Sequence, residues 1–91
     1  MNILLTSAGR RTYIIDYFKS ALNGEGKVFA SNSIETYSIK QADEYVLTPS
    51  IYDDTYIDFL IEYCLKNKIK VVISLFDIDL FVLSINKSIS N

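Results

Sequence analysis

Ser7-Ala8-Gly9-Arg10-Arg11 holds the residue types best suited to gripping an anion. The run follows an apolar stretch and precedes an amphipathic one, so it reads as a strand-to-helix turn. Small residues let backbone amides approach a ligand closely. A helix N-terminus adds unpaired N–H donors and a partial positive charge. Arginine adds a planar fork that matches a carboxylate or phosphate. Cations are better placed at a helix C-terminus, so two arginines here break a local preference, as functional sites often do. The alternative is a tight turn with two solvated arginines, one of them paired with Asp16 or a neighbouring acid.

Two further loops carry polar groups. Ser31-Asn32-Ser33 offers Asn32 and Ser33 as hydrogen-bonding residues for a ligand, or as ordinary loop and capping residues. Asp77-Ile78-Asp79 can hold a divalent cation or a hydroxylated or amino substrate. The stronger reading of the same pair has Asp77 capping a helix and Asp79 in its first turn, and the two roles are compatible. Asp53 and Asp54 read as helix caps. The candidate binding residues are therefore Ser7, Ala8, Gly9, Arg10, Arg11, Asn32, Ser33, Asp77 and Asp79.

Several chemistries are excluded. The sequence has no His and a single Cys, Cys64, so it offers no His general base, no Ser-His or Cys-His pair and no Cys/His metal cluster. No catalytic or metal-ligating residue is assigned. G-x-G-x-x-G is absent, and the end of the second strand has Ser31-Asn32-Ser33 where a ribose-binding acid would stand, which disfavours nicotinamide cofactors. Gly26-Lys27 leads into a strand rather than a helix and is no Walker motif. Net charge is −2, with five Lys/Arg against three Asp/Glu in residues 1–40 and four against eight beyond. That balance disfavours a nucleic-acid surface. The seven tyrosines read as half-buried packing residues with wet hydroxyls, and Cys64 as a small core hydrophobe.

The elements that must position these residues alternate. Residues 2–6 form a continuous apolar strand, and a helix is expected from about Arg10 to Leu22, with Ile14, Ile15, Phe18, Ala21 and Leu22 on one stripe. Strands follow at 27–31, 44–47 and 71–74. One helical turn is expected between Asn32 and Ile39. A helix opened by Asp53-Asp54 carries Ile57, Leu60, Ile61, Cys64 and Leu65, and a last helix opens at Asp77. Strands alternating with helices imply right-handed crossovers and a parallel sheet covered on both faces. The expected fold class is α/β: a three-layer Rossmann-like half-domain with a four-stranded parallel sheet of order 3-2-1-4. A ligand would then sit at the carboxyl ends of the strands near the switch point between strands 1 and 4, among residues 7–11, 32–35 and 76–79. The 91 residues, 49% hydrophobic and 22% charged, suit one domain spanning 1–91. No apolar run is long enough for a leader or a membrane span, so a cytoplasmic protein without membrane partners is expected.

The opening Met1-Asn2-Ile3-Leu4-Leu5-Thr6-Ser7-Ala8-Gly9-Arg10-Arg11 resembles the start of ATP-grasp proteins related to the carbamoyl-phosphate synthase large chain. Gly26-Lys27-Val28 leading to Ala30-Ser31-Asn32-Ser33 is similar to their second strand. Ala42-Asp43-Glu44-Tyr45-Val46, with Pro49 and Asp53 to Ile57, resembles their third strand and next helix. Ile73 to Leu80 resembles the strand and loop before their fourth helix. The resemblance implies a pre-ATP-grasp domain, which walls the substrate side of an active site. The ATP-grasp subdomains that follow in such enzymes hold ATP and Mg²⁺, phosphorylate a carboxylate and pass the acyl group to an amine or similar nucleophile. Carried over, Ser7, Gly9, Arg10, Arg11, Asp77 and Asp79 face the cleft. The chain of 91 residues is not expected to include those subdomains or to hold a cofactor of its own, and is expected to be inert alone. Its expected partners are ATP-grasp subdomains or a partner chain, a small carboxylate or phosphorylated substrate, and a second copy in a symmetric dimer. A stand-alone module for a small anion or nucleotide, or an assembly domain, are the alternatives.

Overall fold

The computed structural model describes residues 1–74. The helix expected from Asp77, and the candidate residues Asp77 and Asp79, lie outside them. Strand β1 (Asn2–Thr6) is followed by helix α1 (Thr12–Leu22), strand β2 (Val28–Asn32), strand β3 (Glu44–Leu47), helix α2 (Tyr56–Lys66) and strand β4 (Ile69–Ser74). A single 3-10 turn at Ile39–Gln41 precedes β3. The turn expected before Ile39 thus forms slightly later, beginning at that residue.

The sheet is wholly parallel, in the order β3-β2-β1-β4. β1 pairs Leu4 with Phe29 of β2 on one side and with Val72 of β4 on the other. Alternation along the strands divides the core in two. Ile3, Leu5, Val28 and Ala30 point to one face and pack with Ile15 of α1 and Ile39. Leu4 and Phe29 point to the other and pack with Tyr56, Leu60 and Cys64 of α2. A strand covered on both faces needs apolar residues at consecutive positions, which is why Ile3-Leu4-Leu5 runs unbroken. The chain forms an α/β Rossmann-like half-domain in three layers, as the alternation of elements predicts.

Three details differ from the expectation. α1 starts at Thr12, two residues later than expected, because Arg11 adopts a non-helical conformation (φ −122°, ψ 46°). Ala21 and Leu65, expected on the buried stripes, are exposed. The fully buried helix residues are Ile15 in α1 and Tyr56, Leu60 and Cys64 in α2, with Ile14, Phe18 and Ile57 packed beside them half-buried. Tyr56 is buried, while Tyr13 and Tyr17 point outward. Asn23 and Gly24 both take left-handed backbone (φ 48° and 81°) and end α1, as the Asn-Gly pair predicts.

Candidate functional site

The strands all point the same way, so the segments leaving β1, β2 and β3 meet at one end of the sheet. A cleft of about 520 Å³ opens between them. The first wall is the β1–α1 turn. Ser7 leaves β1 in left-handed backbone (φ 54°), a costly conformation for a residue with a side chain. The Ala8 amide then donates to the Ser31 carbonyl at 3.1 Å, tying the turn to β2. The Arg11 amide donates to the Ala8 carbonyl at 3.2 Å and closes the turn. The Arg11 carbonyl accepts from Ile14 and Ile15, both at 3.1 Å, and so starts the helix. Both arginines therefore precede α1, with exposed side chains. Ion pairs among the described residues are Lys27–Glu44 at 3.1 Å and Lys40–Glu35 at 3.5 Å, and neither arginine joins one.

The second wall follows β2. Asn32 Nδ2 donates to the Ile34 carbonyl at 3.0 Å and folds the chain back. Its side chain lies flat against Gly9. A Cβ on Gly9 would stand 2.5 Å from Asn32 Nδ2 and 2.9 Å from its Cγ, so it would have to push the Asn32 side chain aside. Thr12 Oγ1 donates to Ser38 Oγ at 2.7 Å, joining the start of α1 to the end of this wall.

The third wall is the β3–α2 segment. The Thr48 amide donates to the Asn32 carbonyl at 2.9 Å, and Thr48 is itself buried. Pro49, Ser50, Ile51 and Tyr52 continue the wall, and the largely buried Tyr56 also lines the cleft. Asp53 shapes this segment without lining the cleft. Its Oδ1 accepts from the Thr55 amide at 2.8 Å and the Thr55 hydroxyl at 2.6 Å. The hydroxyl and then the amide of Thr55 hold the Asp53 carboxyl below its usual range. Asp53 and Asp54 are expected to cap α2, but Asp53 closes the turn before the helix, and Thr55 occupies the cap position, its hydroxyl bonded to Asp53 and not to a helix amide.

Of the residues singled out in the sequence, Ser7, Gly9, Arg10, Arg11, Asn32 and Ser33 line this one cleft. Ala8 is wholly buried beneath the turn, where its methyl joins the α1-side core. The lining also includes Ile34, within the expected 32–35 loop, and Thr36, the segment from Thr48 to Tyr52 and Tyr56, which sequence reasoning missed. Pro49 between two hydroxyl residues, directly after a strand, was the available signal. The described cleft lies over the ends of β1, β2 and β3; the third loop expected there, 76–79, lies outside the described residues.

Chemically, the described lining offers two guanidinium groups, hydroxyls and one side-chain amide, with no carboxylate. No group of three or more His, Cys, Asp or Glu among the described residues is placed to hold a metal. Cys64 is remote from the cleft, and burial pushes its thiol up to about 11, so it stays neutral at physiological pH. Such a site can bind and orient an anion. Among the described residues no helix is long and apolar enough to cross a membrane.

The fold is that of a Rossmann-like half-domain with a cleft at the carboxyl ends of its strands. The sequence model for the PylC-like, N-terminal domain matches residues 3–90, and the chain belongs to that family. It is an ATP-grasp-associated N-terminal domain, a family that implies association with an ATP-grasp partner domain. No curated protein matches the chain.

Proposed function

We propose that this domain forms the substrate-side wall of an ATP-dependent carboxylate ligase of the ATP-grasp type. Its cleft holds a small carboxylate substrate against Arg10 and Arg11. The observation that carries this reading is the placement of two guanidinium groups, unpaired among the described residues, on a ligand-sized cleft at the strand ends. Family membership supplies the ATP-grasp context. The closer relation to the carbamoyl-phosphate synthase large chain rests on the sequence resemblance.

In this reading ATP and Mg²⁺ belong to the ATP-grasp part, which activates the carboxylate. The domain described here binds and orients, and is inert by itself. The arginine forks fix the carboxylate plane, and the small residues of the turn let the head group approach the backbone. Asp77 and Asp79 are proposed to complete the wall, where they can receive an amine or hydroxyl group of the substrate.

The test is ADP formation by the full-length protein across a panel of carboxylates. Arg10→Ala and Arg11→Ala are expected to lower kcat/KM by roughly ten- to a hundredfold, the value of a charge-assisted hydrogen bond. The melting temperature should barely change. A large fall in melting temperature with unchanged activity per folded molecule would make the arginines structural.

A further inference from the structure

The cleft is chemically two-sided. Arg10 and Arg11 stand on the turn after β1. The segments after β2 and β3 bring in Ile34, Ile51 and Tyr52. Ile34 is 66% exposed and Tyr52 74% exposed. Their position on a concave surface distinguishes them from scattered surface residues. Tyr52 is also held in place. Its amide donates to Ser50 Oγ at 3.3 Å, and the Asp53 amide donates to the Ser50 carbonyl at 2.8 Å, so the chain turns tightly at that point.

Size decides what such a cleft suits. Its volume of about 520 Å³ lies within the range of small-molecule pockets, about 300–1,000 Å³. A carboxylate alone fills a small part of it. The remaining space is bordered by isoleucine, proline and tyrosine side chains, with serine and threonine hydroxyls between them.

We propose that the cleft takes an amphipathic carboxylate, with its head at Arg10 and Arg11 and an apolar or aromatic body against Ile34, Ile51 and Tyr52. This rests on the carboxylate-binding function proposed above and adds the class of substrate. Tyr52 is then a specificity residue: it offers a ring face to the body and leaves the head group to the arginines.

Calorimetric titration of the full-length protein with acetate, 3-phenylpropionate and 3-phenylpropylamine tests it. 3-Phenylpropionate should bind at least about tenfold more tightly than acetate, because its ring and methylenes leave water. The amine should not bind. Tyr52→Ala should weaken 3-phenylpropionate roughly fivefold or more and leave acetate unchanged, and Tyr52→Phe should restore the affinity. Tyr52 is exposed, so the fold should survive, and Ile34→Ser gives a second, independent probe of the same wall. Equal affinity for acetate and 3-phenylpropionate, both sensitive to Arg11→Ala, would overturn the apolar subsite and leave the carboxylate function standing. Binding of both acids that ignores Arg10→Ala and Arg11→Ala would overturn the function itself. Binding of the amine as tightly as the acid would overturn the choice of charge.

Discussion

Gly9 has no side chain, and Asn32 occupies the space one would take. An added methyl group would meet the Asn32 amide at 2.5 Å, too close for any non-bonded contact. The turn carrying the arginines and the loop after β2 therefore depend on one another through this contact. Gly9→Ala is expected to destabilise the domain by about 1–3 kcal/mol, the usual cost of overpacking. In an Asn32→Ala background the cost should largely vanish, because the obstructing group is gone. Urea denaturation of the two single variants and the double variant measures this coupling. If Gly9→Ala costs the same in both backgrounds, the close approach is not what requires glycine.

Helix α2 illustrates how an element is held. Tyr56, Leu60 and Cys64 recur every four residues and lock onto Leu4 and Phe29. Their spacing follows the helical repeat, and Ile57 and Ile61 flank them half-buried. Leu65 lies beyond this stripe and is 69% exposed. Leu60→Ala should cost about 2–5 kcal/mol, since its removal leaves a hole in a close-packed layer. Leu65→Ala should change stability by less than about 0.5 kcal/mol. Chemical denaturation distinguishes the two. α2 also positions the cleft, because Tyr56 at its first turn lines it beside the β3–α2 wall. A loss of packing along α2 should therefore loosen that wall as well as the core.

At the scale of the whole molecule, stability should grade across the sheet. β1 is paired on both sides and its Ile3, Leu4, Leu5 and Thr6 are buried. β3 stands at the end of the strand order, with Glu44, Tyr45 and Leu47 exposed. Amide exchange should be slowest in β1 and β2 and faster in β3, which has fewer buried contacts to break on local opening. Mass-spectrometric hydrogen exchange reads this order directly, and equal protection in β1 and β3 would contradict it. The gradient matters for function. The arginine turn follows the doubly paired strand β1, whereas the Tyr52 wall follows the edge strand β3.

The sequence by itself pointed to the order of elements through residue 74 and to a parallel sheet; the 3-2-1-4 order came with the Rossmann-like architecture that these suggest. Those follow from local patterns: an unbroken apolar run means a strand covered twice, and alternation with helices means right-handed crossovers. It also singled out the Ser7–Arg11 turn, because two arginines at a helix start violate a local preference. Tertiary structure decided the rest. Ala21 and Leu65 share their helices' apolar patterns, but the width of the buried stripe depends on how the sheet meets each helix. The contact between Gly9 and Asn32 joins residues from different elements, and no spacing within either reveals it. The third wall, from Thr48 to Tyr52, escaped sequence reading for the same reason. Its residues are ordinary loop residues until parallel strands bring three successive loops to one end of the sheet.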